Sequence, residues 1–518
     1  MGSRVRLAVL VVVGAVAIGA AVVDQRDDDA RVEAQRVAAA TTTTVAPTTA
    51  VPEVTTTTTA VPTTTTVPPY VGWVDPASSG QPWSSTVQGM LTFRGNPTRS
   101  WYGLGPVPQA PKVLWRFPRR GGMCGESSAS GVTKNWCGTG WTGQANTWER
   151  DGRTWVLFGA YDKAYHFLDA DTGERVLPDL STGDINKGSA TLDPDGFPLY
   201  YAGSRDNLLR VIALDRSEPE VLWSLRHDAV SPIKWNSDWD GAPLVIGDYL
   251  FEGGENSQFH IVKLNRGYDA EGKVTVAPEL VFHAPGWDDE LLAALGDSEV
   301  SIEGSVAISG NTVYFANSGG LVQGWDITGL AEGVEPTRTF RFWTGDDTDA
   351  TVVVDAEGFL YVASEYQRFG ARAREVGQLM KLDPRRPDAP LVWSMADNDY
   401  RGFEDAAGIW STPALVGDVV ITTTNGGRVI GLDRATGEVL WQKKLTAPVW
   451  QSPVVVDGVL LQGDCGGVLH AYDARDLRVD PPPLWKVQLG GCIESTPTVW
   501  KGRIYVGTRD GAFFALGD

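Results

Sequence analysis

The chain has 518 residues, of which 42% are hydrophobic, and carries 64 acidic against 44 basic side chains, a formal net charge of -20. That balance argues against a nucleic-acid partner, since phosphate-backbone affinity rests on Lys and Arg displacing counterions. The 20 tryptophans are far more than one ordinary core needs and point to a repeated use.

Arg4 and Arg6 precede an uncharged run from Leu7 to Val23 that Asp24 ends. The run is near the lower limit for a membrane-spanning helix, and its flanking charge predicts that the rest of the chain lies outside the cytoplasm. Residues 1–24 are therefore read as a single-pass signal anchor, with a cleavable signal peptide and secretion as the alternative. Residues 25–69 include the tract from Thr41 to Pro69, rich in Thr and Pro, with almost no charge and no apolar period. Such a tract builds no core and is expected to be a disordered, extended stalk. At ~3.1 Å per residue it would hold a domain on the order of 90 Å from a membrane.

Residues 70–111 form a lead-in segment, and 112–518 the repeated domain. In the C-terminal part the unit is plain: "WSTPALVGDVVITTTNGGRVIGLDRATGEVLW", ending at Trp441, is followed by two further copies. Each copy has short Val/Ile/Leu/Tyr runs separated by Gly-Asp, Asp-Gly or Asn-Gly pairs, which suit tight hairpin turns. Degenerate copies extend upstream and bring the total to eight, each predicting a four-stranded antiparallel sheet. This spacing predicts an all-β, eight-bladed β-propeller. The last copy stops at Leu516 without a fourth strand, while "KVLWRF", Lys112 to Phe117, is a fourth strand with no blade before it. Their pairing would close the ring and remove two open sheet edges. Two insertions stand out: His283 to Ser301, with a helical pattern at Asp288 to Leu295, and the locally basic Tyr366 to Gly377.

Four cysteines in an exported chain predict two bridges, and the local pairings are Cys124–Cys137 and Cys465–Cys492. A zinc site is the competing reading, though no Cys-x-x-Cys or His pair has ligand spacing. The "DPDG" and "DAEG" pieces lack the later glutamate of a calcium loop and read as turns.

The units ending at Trp441 and Leu177, with Leu432-Asp433, Thr436-Gly437-Glu438 and Leu168-Asp169, Thr172-Gly173-Glu174, resemble the tryptophan-docking repeats of the pyrroloquinoline-quinone-type propeller superfamily. The resemblance runs from about Leu91 to the C-terminus. It implies either a quinoprotein dehydrogenase, with a quinone held between flat surfaces, a calcium ion and an aspartate base, or a non-enzymatic scaffold of the cell envelope. The chain lacks the adjacent Cys-Cys pair and the Cys-x-x-Cys-His haem site of many such enzymes.

Aligning the copies on "WSTP" places Gln144, Lys187, Asp240, Glu303, Thr348, Trp410, Trp450 and Glu494 around one mouth of the central channel. Trp410, Trp450, Trp239, Lys187 and Gln144 are the candidates to contact a flat ligand or cofactor. Asp240, Glu303 and Glu494 are the candidate metal ligands, and Trp235, Asn236, Asp238 and Trp239 make the densest local cluster beside them. The expected function is a non-catalytic, monomeric binding or scaffold module that needs no cofactor and meets an envelope protein or carbohydrate. The alternative is an alcohol- or sugar-oxidising dehydrogenase using pyrroloquinoline quinone (PQQ) and calcium.

Overall fold

The computed structural model describes residues 70–129, 132–140, 143–397 and 407–518. The expected anchor, 1–24, and stalk, 25–69, lie outside them. Among the described residues no helix is long and apolar enough to cross a membrane.

The strands assemble into eight sheets around a ring. Blade 1 spans 146–181, blade 2 191–226, blade 3 244–285, blade 4 307–343, blade 5 353–395, blade 6 414–444 and blade 7 454–488; each is four-stranded. Blade 8 takes its inner strands from Thr498–Trp500, Arg503–Thr508 and Ala512–Gly517. Its outer strand is Lys112–Phe117, antiparallel to Ala512–Gly517, so two distant parts of the chain share one sheet. Gly103–Leu104 adds a parallel fifth strand beside Thr498–Trp500. The buried apolar residues form wedges between neighbouring blades, such as Phe117, Phe158, Tyr505 and Phe513 between blades 8 and 1. Each blade face buries its alternate residues against the next, which leaves no sheet face on its own.

The recurring tryptophan has a specific role at these wedges. Trp393 of blade 5 donates its indole N–H to the Arg434 carbonyl of blade 6 at 3.1 Å, and Trp441 of blade 6 donates to Leu477 beyond blade 7's third strand at 2.7 Å. Trp115 on the outer strand of blade 8 donates to Ala170 of blade 1 at 2.9 Å. Each indole thus docks on the following blade's turn. The turn is held by its aspartate: Asp433 Oδ1 accepts from the backbone N–H of Ala435 (3.0 Å) and Thr436 (2.9 Å) and from the Thr436 hydroxyl (3.1 Å). Gly437 has φ +75, and a Cβ there would lie 2.6 Å from the Trp393 ring. Only glycine meets both demands.

The lead-in is part of the ring's interior. Its backbone bonds Thr147 of blade 1, Leu192 of blade 2, Ile308 of blade 4 and Val354 of blade 5. Arg94 and Arg99 are completely buried. The Arg94 guanidinium donates to the carbonyls of Pro413 and Pro453, just before blades 6 and 7, at 2.8 and 2.6 Å. Arg99 donates to Ala242 (2.7 Å) and Val306 (2.8 Å), just before blades 3 and 4. Inner-strand carbonyls that would otherwise face a channel are satisfied by two side chains of a plug.

Both disulfides have the local pairing, Cys124–Cys137 and Cys465–Cys492. The first closes the base of a hairpin, Cys124–Ala129 with Val132–Cys137. In the acidic insertion a helix runs Asp289–Leu295, capped by Asp288 and by Gly296 in the left-handed region. The basic insertion holds a helix at Ala371–Val376. The two meet where Arg368 pairs with Asp297 (2.6 Å) and Glu299 (3.3 Å). The "DPDG" and "DAEG" aspartates, Asp193 and Asp355, accept turn N–H groups from Asp195 and Glu357.

Candidate functional site

A repeated hydrogen bond sets the register of the channel lining. The backbone N–H two residues past each lining position reaches the hydroxyl at the same level of the next blade. It runs from Ala242 to Ser305 (2.8 Å), Ser305 to Thr351 (2.9 Å), Thr351 to Thr412 (3.0 Å) and Thr412 to Ser452 (3.0 Å). Ser305, Thr351, Thr412 and Ser452 lie two residues beyond Glu303, Asp349, Trp410 and Trp450. Asp349 therefore holds the place assigned to Thr348. Thr348 is buried and its hydroxyl donates to the Asp346 carbonyl at 3.1 Å. Gln144 is displaced likewise. Its N–H meets Ser189 at 2.7 Å, which puts it at the hydroxyl level, and its side chain ties the Arg94 N–H (2.8 Å) to the Pro497 carbonyl (3.0 Å). It braces the plug and is not at the mouth.

Around Lys187 the structure gathers three buried carboxylates. The ammonium lies 2.6 Å from Asp240, 2.9 Å from Glu255 and 3.1 Å from Asp238. Arg205 donates to the same Asp238 oxygen, Oδ2, at 2.5 Å, and Asn236 donates to Glu255 at 2.6 Å. Burial works against the Lys187 charge, but Asp240, Glu255, Asp238 and Glu303 together hold its pKa well above the ordinary value. Burial, aided by Glu255, raises Asp238 against the pull of Lys187 and Arg205. These three carboxylates have the mutual spacing of a metal site, and a lysine ammonium already supplies the positive charge. Asp240, expected to ligate a metal, is thereby an ion-pair partner. Trp239, between Asp238 and Asp240, points the other way: it is 1% exposed, packed with His260 at the interface of blades 2 and 3. Alternation along an extended strand puts the two aspartates on the channel side and the indole in the wedge.

A second carboxylate group continues from the first, since the charges of Lys187 and Glu255 act on both Glu303 and Asp349. Ligand oxygens of Asp347, Asp349 and Glu365 lie within 4.8 Å of one another. Ser318 Oγ links this group to Glu303, at 3.3 Å from Asp349 and 3.5 Å from Glu303. Burial raises the pKa of all four well above the carboxylate range. Glu365 and Glu303 add to the effect at Asp347, Asp347 at Asp349, Asp349 at Glu303, and Asp349 with Glu303 at Glu365. Among the described residues no ammonium contacts Asp347, Asp349 or Glu365 as Lys187 contacts the first group; Lys187 and Arg368 act on it only from a distance. Its hard oxygen donors fit a calcium-type cation. Phe93 of the lead-in shares a small void with Asp349 and Trp410, so the plug forms the floor beneath them.

Glu494 does not join either group. It pairs with Arg509 at 2.8 Å; burial raises its pKa and Arg509 opposes the rise. It lines a cavity of about 660 Å3 with Trp410, Trp450, Trp136 and Arg509, beside the Cys465–Cys492 bridge. Trp410 and Trp450 stack on each other, ring centroids 4.5 Å apart and planes 28° apart. A third ring cannot enter between them at that spacing. Lys187, Arg205, Arg368 and Arg509 are each already paired with a carboxylate. A quinone therefore finds no slot between Trp410 and Trp450, Trp239 is buried in a wedge, and Lys187 is committed to its three carboxylates. Asp347, Glu255, Glu365, Arg94 and Arg99 escaped the sequence reading. The Thr or Ser two residues after each lining position was the signal that would have selected Asp349.

The family model described as outer membrane protein assembly factor BamB matches residues 377–480. The BamB of Salmonella typhimurium is 27% identical over 188 residues, 36% of this chain and 41% of that protein. A quinoprotein alcohol dehydrogenase of Pseudomonas putida, PedE, is 32% identical over 88 residues, 16% of this chain and 13% of the dehydrogenase. The chain thus spans less than half the length of the curated relatives it matches. A europium-containing methanol dehydrogenase superposes with a TM-score of 0.55 at 12% identity, covering 83% of this chain and 98% of that one. In its docked tryptophans, its Asp-x-x-Thr-Gly turns and its eight blades, the chain has the fold of the PQQ-like β-propellers, and residues 377–480 carry the family match.

Proposed function

We propose that this chain is a non-catalytic binding propeller of the cell envelope, held outside the cytoplasm by its apolar N-terminal run and the Thr/Pro-rich tract that follows. It offers one open channel mouth to a carbohydrate or an envelope protein. One observation carries the reading: the groups that would receive a quinone are engaged with each other, tryptophan on tryptophan and Lys187 on three carboxylates. The lead-in fills the ring interior, where its arginines hold the carbonyls before blades 3, 4, 6 and 7. Two disulfides suit an oxidising compartment, and the similarity to an assembly factor supports a scaffold role. The test adds PQQ with calcium, and separately with a lanthanide, to the purified protein. The expected result is no bound-quinone absorbance and no dye-linked oxidation of ethanol or glucose; turnover with either metal would overturn the proposal.

A second reading, a quinoprotein dehydrogenase, draws on the second carboxylate group. Asp347, Asp349 and Glu365 would hold its metal, with Glu303 beside them. A bound quinone would supply the electron acceptor for alcohol oxidation. What these residues do by themselves is gather carboxyl groups that hold protons until a cation displaces them, whether or not a quinone follows.

A further inference from the structure

The cavity above Trp410 and Trp450 has features that the acidic floor lacks. Its walls come from elements distant in sequence: Trp410 before blade 6, Trp450 before blade 7, Glu494 before blade 8 and Trp136 on the Cys124–Cys137 hairpin. They are held stiffly. The Trp450 indole donates to Asn425 at 2.6 Å. The Arg509 guanidinium lies 5.3 Å from the Trp136 ring centre and 4.8 Å from that of Tyr161. Its Nε donates to the Cys137 carbonyl at 3.0 Å while Nη1 holds Glu494. Arg205 approaches Trp136 as well, at 5.8 Å. Disulfides fasten both the hairpin and the edge beside Trp450.

Flat indole surface therefore stands next to a carboxylate, a guanidinium and the exposed ammonium of Lys134. Among the described residues Lys134 has no carboxylate partner. A volume of about 660 Å3 falls in the ~300–1,000 Å3 range of small-ligand sites. A purely apolar ligand would strand Glu494 and Arg509, and a purely ionic one would waste the indoles. A sugar ring meets both demands. Its axial C–H face lies on aromatic surface, and its adjacent equatorial hydroxyls match the two-point geometry of a carboxylate or guanidinium.

We propose that this cavity is an oligosaccharide-binding site in which a pyranose ring lies against the Trp410–Trp450 pair and hydrogen-bonds Glu494 and Arg509. The proposal rests on the binding-module reading and names the ligand class for that mouth. Walls fixed before binding lose little side-chain entropy when the ligand arrives.

The experiment titrates the purified protein with cellotetraose, chitotetraose and tetragalacturonate, following tryptophan fluorescence and heat. At least one should bind saturably. Trp450→Ala should weaken that binding tenfold or more, and Glu494→Gln several-fold, while both variants keep the wild-type circular-dichroism spectrum. Should Trp450→Ala unfold, Trp136→Ala, on the surface hairpin, takes its place with the same expected loss. No fluorescence or heat response to any of the three overturns the proposal, as does binding that neither tryptophan variant weakens. Both results leave the non-catalytic reading standing, because that reading fails only on quinone-dependent turnover.

Discussion

Lys187 is the residue on which the channel's electrostatics turn. Three buried carboxylates within 3.1 Å of its ammonium repel one another without it. Lys187→Met keeps the stem and removes the charge, so it should cost about 3–5 kcal/mol, the range for breaking a buried ion pair; denaturant unfolding reads the loss directly. The second group behaves differently, since Asp347, Asp349, Glu303 and Glu365 have raised pKa values. The folded chain keeps protons there that the unfolded chain releases above about pH 4. Their contribution to stability is complete below that pH and is lost as pH rises through the folded values. The melting temperature, measured with chelator present, should therefore fall as pH rises from 5 to 8. Calcium should reverse much of the fall at pH 8 and do little at pH 5, because only deprotonated carboxylates bind it. An Asp349→Asn, Glu365→Gln double variant should lose the calcium response; an undiminished response would move the cation elsewhere.

Among the elements, the blade-to-blade dock is the unit that repeats. Trp441 is 5% exposed and bonds across to blade 7, so Trp441→Ala should cost about 3–5 kcal/mol, as for other large buried aromatics. Gly437→Ala attacks the same joint from the turn. A left-handed alanine costs about 1–2 kcal/mol by itself, and contact with the Trp393 ring adds to that. In a Trp393→Ala background the added part should vanish, leaving only the backbone part. A double-mutant cycle by thermal melting measures this coupling, and strict additivity would mean that indole and turn do not touch.

The whole molecule depends on a segment far from the blades it completes. Residues 90–117 supply the plug, the parallel strand Gly103–Leu104 and the outer strand of blade 8. A chain beginning at Arg119 would leave Ala512–Gly517 as an open edge and the carbonyls before blades 3, 4, 6 and 7 without donors. It should be recovered as aggregate, whereas a chain beginning at Tyr70 should stay soluble in gel filtration. Peptide mapping without reduction should recover Cys124 joined to Cys137 and Cys465 joined to Cys492.

Period and turn chemistry were legible in the sequence because they are local. Hairpin pairs recur at blade spacing, and the Asp-x-x-Thr-Gly turn announces its tryptophan, so eight blades follow from counting. The lone strand Lys112–Phe117 was visible as a blade part without a blade. What the indole does was only half visible, since its bond is made to the next repeat's turn and no single repeat contains both partners. At the channel, identity by alignment failed where copies differ in length. Gln144 sits two residues and Thr348 one residue out of register, and the hydroxyl-to-amide bonds between blades, not the spelling of each copy, decide which side chain faces the axis. The charge pattern was least legible of all. Asp240, Glu303 and Glu494 look alike in sequence, yet one meets a lysine, one a cluster of acids and one an arginine. The lysine and the acids lie in other blades, and the arginine sits across the hairpin of Glu494's own blade. Burial and neighbouring charge, which decide what a carboxylate does, arise only when the ring is closed.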